Sequence, residues 1–110
     1  MKHKIAIVIS ALLILMFCGC NQKASLESEI KEIDTKLTSL NNDLIYYQNV
    51  YDKALNTYQQ HCDDSSWENE LSQIKDNMDK TMSKISRIKT EIDLYTNRKE
   101  IKENKLKEIN

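Results

Sequence analysis

The side chains with the most reactive chemistry in this sequence are three cysteines and two histidines. Donor atoms that suit a divalent cation occur together in one run, His61-Cys62-Asp63-Asp64. Metal sites usually space their ligands by two or more residues and draw further donors from elsewhere, and this run does neither. Aspartates of this kind also favour turns. We therefore expect a turn here and no metal site, with Cys62 free to cross-link two copies at an exposed tip.

The other two cysteines close an N-terminal apolar segment. Lys2 and Lys4 precede residues 5–17, which are apolar except for Ser10, and Cys18-Gly19-Cys20 follows. A membrane-spanning helix needs roughly 20 apolar residues, so this segment is short for a retained anchor. Its basic start and small residue near the end are typical of a cleaved signal.

This arrangement resembles the signal sequence of bacterial lipoproteins, in which a small residue precedes a cysteine that receives a diacylglyceryl group before cleavage just ahead of it. Phe17 stands where the family usually has Leu. The resemblance implies that residues 1–19 are a signal peptide ending at Gly19 and that Cys20 is the lipidated N-terminus. It implies a protein held on the extracytoplasmic side of the cell membrane or outer membrane through the lipid on Cys20. In hosts that have an outer membrane, Asn21 in place of Asp after the cysteine favours sorting of the lipoprotein to that membrane.

Composition narrows the fold and the function. Gly19 is the only glycine and there is no proline, so sheets, glycine-rich phosphate loops and nucleophile elbows are disfavoured. The 16 Lys and Arg against 17 Asp and Glu give no basic excess for binding nucleic acid. No set of side chains is spaced for catalysis. We expect a non-enzymatic all-α protein without cofactor, nucleic acid or small-molecule substrate.

Apolar residues recur at alternating steps of four and three after a short tether, residues 20–24, and an N-cap at Ser25. This heptad pattern predicts a helix over residues 25–61 with a coiled-coil seam. The seam residues are Leu26, Ile30, Ile33, Leu37, Leu40, Leu44, Tyr47, Tyr51, Ala54 and Tyr58.

The pattern loses phase at residues 62–65 and resumes one residue early, at Trp67. A one-residue slip rotates the apolar stripe by about 100°, which a turn absorbs and a continuous rod does not. Ser65 and Glu68 have capping-box spacing. We therefore predict a long antiparallel two-helix coiled-coil hairpin spanning residues 25–110, with the second helix over residues 66–107. Its seam residues are Trp67, Leu71, Ile74, Met78, Thr81, Ile85, Ile88, Ile92 and Tyr95.

Folding the chain about Cys62 and Asp63 gives facing layers, such as Leu44 opposite Thr81. A register one heptad looser seats nearly as many apolar residues, so both remain open. Beyond Tyr95 the seam seats include Lys99 and Lys102. We expect this lysine-rich end to face the acidic start of the first helix, near Glu29, or to approach anionic lipid headgroups.

Several apolar residues lie off both seams. Ile45, Tyr46, Val50 and Leu55 are the predicted partner face, which would bind a second copy or another envelope protein. The sequence thus favours a lipid-anchored spacer, adaptor or binding module at the cell envelope. The alternative is a lipoprotein of a phage or mobile element that acts in exclusion or lysis. Residues 25–110 resemble no specific family.

Overall fold

A computed structural model describes the backbone of residues 2–109 and the side chains of residues 21–109. The chain forms two helices, α1 (Lys2–His61) and α2 (Glu68–Ile109), joined by a short turn and a 3₁₀ turn over Ser65–Trp67. The predicted all-α helical hairpin is confirmed, and the described residues contain no strand.

The expected tether is helical. Helix α1 runs through residues 20–24, so Ser25 lies inside the helix and does not cap it. No glycine or proline occurs after residue 19, and nothing else in this stretch removes a backbone donor or disfavours helical angles. Helix α2 likewise continues to Ile109, two residues past its predicted end.

The turn reverses the chain without using left-handed backbone angles. Asp64 is extended, with φ −98° and ψ 111°, and its amide donates to the His61 carbonyl at 3.0 Å. The Trp67 amide in turn donates to the Asp64 carbonyl at 3.0 Å. Within the described part of the chain no non-glycine residue has a positive φ. A chain that lacks glycine here can therefore still form a tight helical turn.

The helices fall into two compact units, which we call the terminal unit (Met1–Thr35 with Asn97–Asn110) and the turn unit (Lys36–Thr96). In the turn unit the seam is apolar except for Thr81, and Leu40, Ile85 and Ile88 are its buried residues. All the predicted seam residues of this unit are buried or half-buried. The seam prediction is thus confirmed there from the heptad pattern alone.

The terminal unit has a mixed seam. Ile33 is buried, and Leu26, Ile30 and Leu106 are half-buried. Seats on α2 also hold two lysines, which pair with carboxylates of α1. Lys99 Nζ lies 2.6 Å from Asp34 Oδ1, and Lys102 Nζ lies 2.7 Å from Glu29 Oε2. The hydrogen bond with Asp34 raises the pKa of Lys99. The expected pairing of this end with acidic residues of α1 is confirmed at Glu29.

The predicted layers about Cys62 and Asp63 are wrong. A register with Leu44 opposite Thr81 would put Tyr47 opposite Met78, about 9 Å along the axis from Lys84. Instead Lys84 Nζ lies 5.2 Å from the centre of the Tyr47 ring. The observed pairing is shifted by nearly two helical turns, close to the looser alternative. The reason is that the 3₁₀ turn lengthens the connection and moves the point of reversal towards Ser65.

Truncation of a buried seam residue tests the turn unit. We expect Ile88→Ala to lower the free energy of unfolding by about 2–4 kcal/mol, through lost burial and a residual cavity. Met82→Ala, at an exposed position on the same helix, should change it by less than about 0.5 kcal/mol. Urea unfolding followed by circular dichroism measures both. Equal effects of the two substitutions would contradict the assigned seam.

Charge reversal tests the register in the terminal unit. We expect Glu29→Lys to destabilise the chain by about 0.5 kcal/mol, because both side chains of the pair remain partly exposed and solvent screens them. Adding Lys102→Glu should restore most of that loss. Thermal unfolding of the two single variants and the double variant gives the coupling free energy. A coupling of zero would mean that these residues are not opposite each other.

Candidate partner-binding surface

Two groups of residues were singled out for function: the lipidation site and the partner face. Gly19 and Cys20 lie outside the described side chains, so the geometry of that site is not described. Asn21, the next residue, is exposed on α1. The partner face, by contrast, lies wholly within the turn unit.

Three of the four residues of the partner face are exposed on α1. Ile45 is 57% exposed, Tyr46 is 62% exposed and Val50 is 37% exposed. At about 100° per residue, Tyr46 points about 100° from Ile45 and about 40° from Val50, whereas Leu55 points about 180° from Tyr46. Leu55 is half-buried beside the seam. The exposed residues are therefore Ile45, Tyr46 and Val50, with Tyr46 between the other two around the helix, and Leu55 points away from Tyr46.

Tyr46 is tied to the seam by an aromatic contact. Its ring meets the Tyr47 ring edge to face, with centroids 5.2 Å apart and an interplanar angle of 78°. Tyr47 is half-buried, and Lys84 of α2 lies over its ring. Contacts of this geometry are favourable beyond simple burial. The exposed Tyr46 ring is therefore backed by a side chain that both helices hold in place.

A shallow groove runs along one flank of the turn unit. Seam residues line its floor and charged residues line its rims: Leu40, Tyr47, Ile88, Lys36, Asp43, Lys84, Arg87 and Glu91. Sequence reasoning did not single out these rim residues. Their signal is their position one residue before a seam seat in the heptad, which places them beside the opposite helix. The rims carry both positive and negative side chains, which suits contact with a partner surface that also carries both charges.

The turn is held by a side-chain cap. Asp64 Oδ1 accepts from the Ser66 amide at 3.0 Å and from Ser66 Oγ at 2.7 Å. These donors hold the pKa of Asp64 below its ordinary value, the Ser66 hydroxyl contributing most. Asp64, not Ser65, is therefore the capping residue, one position earlier than predicted. The cap satisfies donors that the start of a helix otherwise leaves unpaired.

An aromatic stack closes the turn beside this cap. The rings of His61 and Trp67 lie 3.8 Å apart and are inclined by 4°. Cys62 is exposed, and its Sγ donates to the Gln59 carbonyl at 3.4 Å. Among the described residues, no three His, Cys, Asp or Glu side chains are grouped so as to hold a metal ion. His61 thus has a packing partner, and Cys62 remains accessible.

None of the helices, over the residues described, combines the length and apolar character needed to cross a membrane. The chain matches no known protein family, and no characterised protein or solved structure is significantly similar to it.

Loss of the Asp64 cap should be measurable through pH. Because the pKa of Asp64 is lower in the folded chain, the cap stabilises the turn above the unfolded-state pKa and stops doing so as pH falls through the folded-state value. We expect Asp64→Ala to lower the midpoint of thermal unfolding at pH 7, and the deficit to shrink below about pH 4. Fluorescence of Trp67, the only tryptophan, reports on this region.

The matched control for the cap is Asp63→Ala, which removes the neighbouring exposed carboxylate. It should leave the midpoint and its pH dependence close to those of the parent chain. If both substitutions gave the same pH profile, the carboxylates would act through net charge and not through the Ser66 hydrogen bonds.

Proposed function

We propose that this chain is a membrane-anchored bacterial lipoprotein whose helical hairpin acts as a non-enzymatic spacer, adaptor or binding module at the cell envelope. The observation that carries the proposal is the order of residues 2–20. A basic start precedes a short apolar segment, and Gly19-Cys20 follows directly. Helix α1 continues past residue 20 and forms the amphipathic hairpin together with α2.

The lipid alone would hold the protein in place. Each buried methylene contributes about 0.8 kcal/mol, and two acyl chains anchor a protein stably where one short chain does not. Lipoproteins of this type carry at least two chains on the cysteine, so the helices need no membrane contact of their own. The side chains after residue 20 are then available for other contacts.

A binding role fits the described surfaces. The turn unit offers an exposed apolar patch at Ile45 and Tyr46 and an open groove with charged rims. Exposed apolar side chains rimmed by polar residues are typical of surfaces that bind another protein. Grooves open along a helix pair suit contact between surfaces better than enclosure of a small substrate. The partner is therefore proposed to be a protein, with the membrane reached through Cys20.

Metabolic labelling with a fatty-acid analogue tests the anchor. We expect the parent chain to take up label and to remain with the membrane fraction, because Cys20 supplies the acceptor sulfur. Cys20→Ala should abolish the uptake and leave the chain uncut. Gel electrophoresis with fluorescence detection of the label measures the result.

The matched control for labelling is Cys62→Ala, which removes the exposed thiol of the turn. That variant should be labelled as strongly as the parent. Persistent label on Cys20→Ala would show that the lipid is attached at another residue, which would contradict the proposed anchor.

A further inference from the structure

The side of α1 that faces away from α2 carries an unusual row of side chains. Asn42, Asn49 and Asn56 are all exposed and recur every seven residues. Residues seven apart lie nearly in line on a helix, with a drift of about 20° per heptad. The outermost row of a solvent-facing helix is more often charged. Over residues 42–56 this row holds only amides, which both donate and accept hydrogen bonds and so can pair with their own kind.

Two matched pairs of residues flank the asparagine row, with one member of each pair on either side. Ile45 and Asp52 lie about 60° to one side, while Tyr46 and Lys53 lie about 40° to the other. All four side chains are exposed. Within residues 21–109, neither Asp52 nor Lys53 has an ion pair within 4.0 Å. The row is thus flanked at one level by two apolar residues and at the next level by two opposite charges.

We propose that this outer face of α1 binds a second copy of the same chain, in parallel orientation and about a twofold axis along the helices. In that arrangement, the side of the row that carries Ile45 and Asp52 faces the side of the second copy's row that carries Tyr46 and Lys53, at the same height along the helix axis. Ile45 then packs on Tyr46 of the second copy, and Asp52 pairs with Lys53 of the second copy. Each contact occurs twice, and the asparagines meet their own counterparts between them.

The antiparallel alternative is less complementary. If the twofold axis passed through Asn49 perpendicular to the helices, the side that carries Ile45 and Asp52 would face the same side of the second copy. Ile45 would then lie against the carboxylate of Asp52, which would lose water without gaining an apolar or cationic partner. Only the parallel orientation matches apolar with apolar and acid with base at both levels.

The outer face of α2 is self-complementary at one level only, where Asp79 lies beside Lys80. Its corresponding pairs include Asp93 beside Leu94, which a parallel pairing would set against each other, carboxylate on apolar side chain. Leu94 is 46% exposed, so it is not excluded by burial. An apolar pair at one level and an opposite-charge pair at the next therefore occur together on α1 and not on α2.

The parallel orientation rests on the proposed function, since two copies anchored through Cys20 in one membrane leaflet necessarily point the same way. The pairing adds to it a definite partner for Ile45 and Tyr46. It also explains why Tyr46 is backed by Tyr47, because a ring that forms part of an interface binds better when its rotamer is already fixed.

Disulfide cross-linking in native membranes tests the pairing. The full chain is expressed with Cys62→Ser and one introduced cysteine, either Asn42→Cys or Asn56→Cys, and is oxidised with copper phenanthroline. Helices packed at 8–10 Å bring equivalent outer-face Cα atoms within the 4.4–6.8 Å that a disulfide needs. We expect dimers from each variant separately, because only a parallel twofold pair places each residue beside its own equivalent. Ser86→Cys, exposed on α2, is the matched control and should give only the background of the Cys62→Ser parent.

Charge exchange then tests the flanking contacts in the Asn42→Cys background. Asp52→Lys should reduce the dimer yield about fivefold, because each pair loses two ion pairs and gains two like-charge contacts. Adding Lys53→Asp reverses both charges and should restore the yield. Unchanged yield with Asp52→Lys, or no rescue by the double variant, would overturn the proposed contact.

Fatty-acid labelling of the same samples separates the two proposals. Labelled chain without dimers at positions 42 and 56 would overturn the pairing and leave the anchor intact. Dimers without label would support the pairing and remove the anchor. Cross-linked products heavier than two chains, formed from Asn42→Cys in place of dimers, would mean that a different protein occupies this face and would overturn the second copy as its partner.

Discussion

The contact between the seams of α1 and α2 is the constraint on which the structure depends. A single amphipathic helix cannot bury its own apolar stripe, and the buried residues of the turn unit come from both helices: Leu40 on α1 and Ile85 and Ile88 on α2. This contact is possible only because the turn changes the phase of the apolar stripe. The Asp64 amide donates to the carbonyl of His61, the last residue of α1, and the Asp64 side chain caps the 3₁₀ turn that follows. Trp67 then resumes the seam one residue early and stacks on His61. The turn unit is thus held by a few hydrogen bonds at the turn and by apolar burial along its seam.

The heptad pattern predicted which residues of the turn unit pack in the seam, because burial on a helix depends mainly on angular position. It also assigned Ile45, Tyr46 and Val50 to the outside, where they are exposed, but Leu55, assigned with them, is half-buried. The register was not predictable in this way, because sliding one helix by about a heptad returns apolar residues to nearly as many seam positions. What selects it is the length of the turn together with contacts such as Lys84 on Tyr47, and these depend on side-chain reach that the pattern does not encode. The lipidation site at Cys20 rests on the resemblance of residues 2–20.

The two units use different chemistry at the same seam. In the turn unit, Ile85 and Ile88 fill the seats with side chains that can only pack. In the terminal unit, Lys99 and Lys102 fill them with side chains that need a carboxylate within reach, and Asp34 and Glu29 provide it. Apolar seats tolerate sliding, whereas a lysine in a seam has few acceptable partners. Polar seam residues commonly fix register at some cost in stability. The lysine seats therefore supply the specificity that the uniform apolar seam lacks.

Anchoring and pairing support each other in the proposed arrangement. The apolar part of the outer face is small, since it consists mainly of Ile45 and Tyr46 on either side of the asparagine row, and an interface of this size binds weakly between molecules free in solution. Confinement of both copies to one membrane changes that balance, because it raises their effective concentration and fixes their orientation before they meet. A face that must work only under these conditions can remain largely polar, with amides along its centre and one charge pair beside it. Such a face leaves little apolar surface exposed when the copies are apart, and it still selects its own kind when they are held side by side.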